Sequence, residues 1–253
     1  MELTRALAAD AGLTCVVGAG GKKSTLYALA DRLDRAVLTA TVRIPIFDRQ
    51  VATVRVTDDP VGALAARRGS GGGAQEWPLG LVADREGDRY VGYDPATVDE
   101  IGAADAPEHV LVKADGARTR FLKAPGDHEP QLPATVDTVI AIASVHAVGE
   151  PLDEGVVHRP DRVAAVTGRT PGEPIEPADV AAILTSLDGG LKDVPDDATY
   201  VPLLNMVDDE ADLAVAREVS RRVLDRSDGA DGRVDRVVLT SMIADEPLVE
   251  VRE

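Results

Sequence analysis

The sequence predicts an α/β protein, P-loop NTPase-like, with a mostly parallel sheet and helices on both faces. Continuous apolar runs at Leu13 to Val17, Ala36 to Thr41 and Thr138 to Ser144 suit strands covered on both faces, where alternation is not required. Segments with apolar residues three or four apart fall between such runs. A glycine-rich turn joins the first run directly to the first helical segment.

In chain order, strand Leu13 to Val17 leads through the glycines into a helix over Ser24 to Leu33, with Leu26, Leu29 and Leu33 on one face. Strand Ala36 to Thr41 follows. Between 44 and 105 the pattern weakens, as expected of an irregular or small inserted region with short strands around Leu79 to Ala83 and Tyr90 to Tyr93. Within it, Arg68 to Gln75 carries Gly69, Gly71, Gly72 and Gly73, the composition of a flexible surface loop. The next strand, His109 to Lys113, ends at Ala114-Asp115-Gly116. Helices are expected over Arg159 to Val166, Pro177 to Ser186 and Asp209 to Leu224, each with a proline or acidic start, and strands over Tyr200 to Leu204 and Arg236 to Thr240. A chain of 253 residues accommodates all of this in one domain, 1–253, with room for an insertion at 44–105.

Lysines and arginines number 27 against 44 acids, a net charge of -17 that repels nucleic acid and anionic membranes. No basic cluster stands out beyond the lysines of the glycine loop. No apolar run is long enough to span a bilayer and no secretory leader is evident, so a cytoplasmic location is expected. Cys15, the single cysteine, lies in an apolar run and reads as a small buried hydrophobe. Acidic groups scattered along the chain, such as Asp58-Asp59 and Asp196-Asp197, together with few lysines and few aromatics, point to a salt-adapted, halophilic source.

The candidate site begins with Gly18-Ala19-Gly20-Gly21-Lys22-Lys23-Ser24-Thr25. Glycines turn backbone amides toward an anion, the helix dipole adds positive potential, and lysine neutralises phosphate. ATP or GTP with Mg2+ is the expected ligand. The spacing is the GxxGK of Mur-ligase-like phosphate loops, with Lys23 where a metal-binding Ser or Thr would stand. Ser24 or Thr25 then supplies the hydroxyl, or the metal is held through water. A tight turn into a helix with two solvated lysines is the alternative.

Asp115 ends a strand where a carboxylate could hold magnesium; an ordinary Asp-Gly turn is the competing account. Asn205 and Asp208 resemble the NKxD element with which GTPases read guanine, Met206 replacing the lysine; a strand end followed by a helix cap fits equally well. Lys123, His128 and Glu129 sit in a loop bounded by Pro125, Pro130 and Pro133, and His158-Arg159-Pro160 forms a similar cluster. These are candidates to contact a second ligand, with His128 a candidate acid or base. Thr39 and Thr41 could contact phosphate or metal, or simply bury their methyl groups.

Four segments together carry a family signal: Val17 to Lys22, Ala114-Asp115-Gly116-Ala117, Lys123-Ala124-Pro125 with His128-Glu129-Pro130, and Leu204-Asn205 with Val207-Asp208. On these the sequence resembles the YqeC family over roughly 13–45 and 108–210. The resemblance implies an accessory to selenium-dependent molybdenum hydroxylases, or a role in selenium cofactor biosynthesis, with such an enzyme as partner. Where family members carry GGKT, TTT, EADGA and LNKVD, this chain has Gly21-Lys22-Lys23, Thr39-Ala40-Thr41, Lys113 to Ala117 and Leu204 to Asp208. These departures bear on rapid hydrolysis more than on binding. The expectation is a slow NTPase; the alternatives are a non-hydrolysing, nucleotide-gated delivery module and a ligase forming an acyl or selenyl phosphate.

Overall fold

The computed structural model describes residues 1–10, 12–69, 77–227 and 232–253. Its main sheet has nine strands: β1 (Gly12–Gly18), β2 (Ala36–Ala40), β4 (Thr53–Val56), β5 (Leu79–Val82), β8 (His109–Lys113), β10 (Thr138–Ser144), β12 (Thr199–Asn205), β13 (Val237–Thr240) and β14 (Leu248–Arg252). Their order is β14-β13-β12-β10-β1-β8-β2-β5-β4. Every neighbouring pair is parallel except β13 with β14. The sheet is therefore mixed but mostly parallel.

The apolar runs are continuous because both faces are covered. Val16, Leu38, Leu111, Ile140 and Leu203 pack on one face with Leu3 of α1 (Leu3–Ala6) and with Leu26 and Leu29 of α2 (Lys22–Ala30). Cys15, Val37, Val112, Val139 and Leu204 face the other layer. That layer contains Leu64 of α3 (Pro60–Gly69), Val98 of α4 (Pro95–Gly102), Val163 of α5 (Pro160–Thr167), Val180 of α6 (Pro177–Leu184) and Val219 of α7 (Glu210–Ser227). Burial pushes the Cys15 thiol well above its ordinary range, leaving it a neutral core group. Among the described residues no helix is long and apolar enough to cross a membrane.

The weakly patterned stretch 44–105 supplies β4, β5, α3 and α4 to the main layers. It also contributes the separate three-stranded sheet of β3 (Ile44–Pro45), β7 (Arg89–Val91) and β6 (Asp84–Glu86). Arg68 and Gly69 end α3, and the rest of the glycine-rich segment, 70–75, lies outside the described residues. Helix α2 starts at Lys22, two positions before the apolar spacing suggests, because Gly21 at φ 140° turns the chain at once. It stops before Leu33, with Asp31 and Arg32 closing the last turn onto Tyr27 and Leu29.

From β1 the chain runs to β2, returns through β8 to the place between them, and then crosses to β10 on the other side. The strand order thus reverses at β1, and the crevice above its carboxyl end is where open α/β sheets bind ligands. Gly18, Asp115, His146, Asn205 and Ser241 all follow or finish strands at that edge.

Leu111, fully buried in central β8, and Val249, 41% exposed in edge strand β14, should respond differently to truncation. Leu111→Ala is expected to cost about 2–5 kcal/mol and Val249→Ala under about 1 kcal/mol in urea unfolding.

Candidate functional site

The glycine loop is held by backbone approaches that admit no side chain. Gly18 has φ 89°, and a Cβ there would lie 2.2 Å from the Ile142 carbonyl oxygen. Gly21 has φ 140°, and a Cβ would meet Asn205 Nδ2 at 2.1 Å. The amides of Gly20 to Ser24 donate to no group among the described residues, and Gly21 offers no side-chain cap to α2. These open donors and the positive end of the helix dipole point the same way. Ser24 is exposed, whereas Thr25 is buried with its hydroxyl donating back to the Gly21 carbonyl at 3.2 Å.

Asp115, 2% exposed, lies directly behind the loop. Its Oδ2 accepts from the Gly18 amide at 2.9 Å and pairs with Lys123 Nζ at 2.8 Å. Its Oδ1 forms an ion pair with Lys22 Nζ at 2.9 Å. Lys22 also donates to the Gly18 carbonyl. Burial works against the Asp115 charge, yet Lys22 and Lys123 hold its carboxyl below the usual range.

Lys123 continues the chain of charges to Glu129 Oε2 at 2.8 Å, which Arg159 Nη1 reaches at 2.7 Å. Burial opposes the Glu129 charge too, but these cations bring its pKa down to about 2. Strand β9 (Leu122–Lys123) pairs in parallel with β11 (Val157–His158), so Lys123 and His158 lie in register. Burial, Arg159 and Lys123 depress His158 to about 4. Lys192 donates to the carbonyls of Gly126 and Glu129 at 3.1 and 2.6 Å, securing the same loop.

In front of the glycine loop lies a cavity of about 710 Å³, bordered by Gly20 to Ser24, Gly116 and Met206. Lys22, Lys23 and Lys113 line it from the loop and β8, and Arg43, Arg89, Arg118 and Arg120 from the residue before β3, from β7 and from the turn after Gly116. Glu129 is the single acid lining it among the described residues. Sequence reading finds no basic cluster beyond the loop lysines, but the fold assembles one from four separated segments.

The Asn205 amide is buried and engaged: Nδ2 donates to the Gly20 carbonyl at 2.8 Å, and Oδ1 accepts from Thr240 Oγ1 and the Met242 amide at 3.1 and 3.2 Å. Asp208 is exposed and accepts from Ser241 Oγ at 2.6 Å. Ligand atoms of Asp208, His146 and Asp212 lie within 4.8 Å of one another, a grouping able to hold a cation, and Asp212 pairs with His146 at 3.3 Å. His146, Asp212 and Ser241 escape sequence reading because no motif links them; only their positions after adjacent strands do. Thr39 is buried with an unpartnered hydroxyl, and Thr41 donates to the Gln131 carbonyl at 2.7 Å. His128 is exposed and does not line the cavity.

The family model described as YqeC protein matches residues 14–161. The chain belongs to the YqeC family. A curated relative, the "Uncharacterized protein YqeC" of Escherichia coli (strain K12), is 30% identical over 197 residues, covering 75% of this chain and 74% of that protein. No solved structure matches. The YqeC match takes in the glycine loop, Asp115, Lys123, Glu129, His158 and Arg159, and ends before Asn205 and Asp208.

Removing Asp115 strands Lys22 and Lys123 without their shared counter-charge, so Asp115→Ala should lose about 3–5 kcal/mol in denaturant unfolding, whereas His128→Ala should stay within about 0.5 kcal/mol. The acid limb of stability is a separate check. Glu129 is depressed to about 2 and His158 to about 4, so the unfolded chain binds more protons than the folded one below neutrality. Stability should fall from pH 6.5 toward 4 through His158 and from about 4.5 toward 2 through Glu129. Urea melts across that range should show a shallower lower limb in Glu129→Gln.

Proposed function

We propose that this YqeC-family chain binds a nucleoside triphosphate, GTP or ATP, on a P-loop-like turn over Gly18 to Thr25 and hydrolyses it slowly. The observation that carries this reading is the row of open amides at the start of α2, facing a basic cavity in a chain of net charge -17. Gly20, Gly21 and Lys22 would cradle the phosphates. Asp208 would accept from a guanine edge, steadied by Ser241, with Met206 packing on the ring, which favours GTP. Asn205 would act through the loop it pins.

The fit to magnesium rests on Asp115 Oδ1, a buried carboxylate oxygen paired with Lys22, and on the exposed Ser24 hydroxyl. When bound, the ion would neutralise phosphate charge. Lys22 is tied to Asp115 and Gly18, so an incoming phosphate would draw it outward and release that carboxylate. In this reading the activity serves maturation of a selenium-dependent molybdenum hydroxylase in the cytoplasm, with that enzyme as partner, and membership of the YqeC family supports it. Lys23 in the position of a metal-binding hydroxyl favours a second reading, a delivery module gated by nucleotide without turnover.

The test is magnesium-dependent GTP and ATP binding in high-potassium buffer, suited to the salt-adapted surface. GTP should bind more tightly than ATP, Lys22→Ala should weaken both by about tenfold or more, and Asp208→Asn should remove the guanine preference. Absence of nucleotide binding by the wild-type chain at every salt concentration overturns the reading. Steady-state phosphate release separates slow turnover from gating.

A further inference from the structure

The basic cavity extends beyond the glycine loop onto a wall that nucleotide binding leaves without a role. Ile44 and Tyr90 are paired across β3 and β7 and are buried at 0% and 2% exposure. Alternation along a strand turns their neighbours Arg43, Pro45 and Arg89 the other way, and all three line the cavity. The support is firm: Phe47 packs edge-on against Tyr90 with ring centres 5.4 Å apart, and the Tyr90 hydroxyl donates to Asp48 at 2.7 Å.

Arg118 joins them from the turn after Gly116. It and Thr119 have φ of 48° and 60°, a left-handed conformation that costs a β-branched residue and persists only where the surroundings impose it. The guanidinium groups of Arg89 and Arg118 form no ion pair among the described residues, and that of Arg43 pairs only with exposed Glu86, at 2.5 Å. Lys113, 7% exposed, lies in the same cavity and donates to the carbonyls of Arg43 and Asp115 at 3.1 and 2.7 Å, with no carboxylate partner among the described residues. Burial, followed by repulsion from Lys22, lowers it to about 7. Lys113 and these three exposed guanidinium groups line one cavity, a concentration of positive potential that favours an entering anion.

We infer that this wall is a second anion site, separate from the glycine loop, which binds a phosphate-bearing small molecule through Arg43, Arg89 and Arg118. Planar guanidinium forks match phosphate oxygens in pairs, and a single carboxylate would leave most of this charge uncompensated. The site would make the chain a two-ligand protein, with nucleotide on one side of the cavity and a phosphorylated acceptor or cargo on the other. That pairing rests on the nucleotide reading; the second site itself does not.

Inorganic pyrophosphate is the probe, titrated calorimetrically at fixed potassium chloride. It goes into wild-type protein saturated with magnesium and a non-hydrolysable GTP analogue, into nucleotide-free Lys22→Ala, and into an Arg43→Ala/Arg89→Ala variant whose thermal melt is unchanged. Pyrophosphate should bind the first two, and the double variant should lose about tenfold or more in pyrophosphate affinity while its analogue affinity changes less than about threefold. Arginine-dependent pyrophosphate binding to Lys22→Ala without any nucleotide binding by wild type would remove the nucleotide reading and leave the second site standing. Pyrophosphate that is wholly displaced by the analogue, that binds the double variant equally well, or that binds none of these proteins would overturn the second site.

Discussion

The buried carboxylate of Asp115 is the constraint on which the rest of the site depends. It takes the Gly18 amide and two lysine ammonium groups at once, at 2.8–2.9 Å. Removing such charges from water costs several kcal/mol each, and only mutual pairing with further hydrogen bonds offsets it. The geometry is therefore not negotiable locally. Strand β8, the loop after β1 and strand β9 must all arrive together, or a lone charge is left in the core.

Two supports fix what Asp115 holds. From behind, Lys123, Glu129 and Arg159 tie the 116–130 loop to the start of α5, and Lys192 ties it to the segment after α6. From the side, Asn205 ties Gly20 to β12 and to the turn after β13. Both converge on the point where the strand order reverses, so the open amides of α2 are aimed before any ligand arrives. Preorganisation of this kind lowers the ordering cost of binding.

Charge is divided between surface and interior. The chain carries -17 overall, while among the described residues the cavity is lined by lysines and arginines with Glu129 as its one acid. An acidic exterior repels extended polyanions, whereas a recessed basic pocket concentrates its field on a small anion that enters it. Under the proposed reading such a lining would select for size as well as sign. It would suit the small phosphorylated ligands proposed above.

The sequence by itself determined the buried parallel strands, because covering both faces demands unbroken apolar runs, and the glycine loop, because strand, glycines, lysine and helix are contiguous. It also marked Asp115 as a carboxylate at a strand end. Within 44–105 it indicated the strands near Leu79 and Tyr90 but not β4, which has too little pattern to be told from loop until β5 offers it a partner. Nor did it reveal that the Asn205 amide is spent on Gly20, Thr240 and Met242. The convergence of Arg43, Arg89 and Arg118 was decided by tertiary structure alone. Charge clusters are legible in sequence when their members are neighbours along the chain; these become neighbours only through strand order and the two-residue alternation of β3 and β7, which no local pattern encodes.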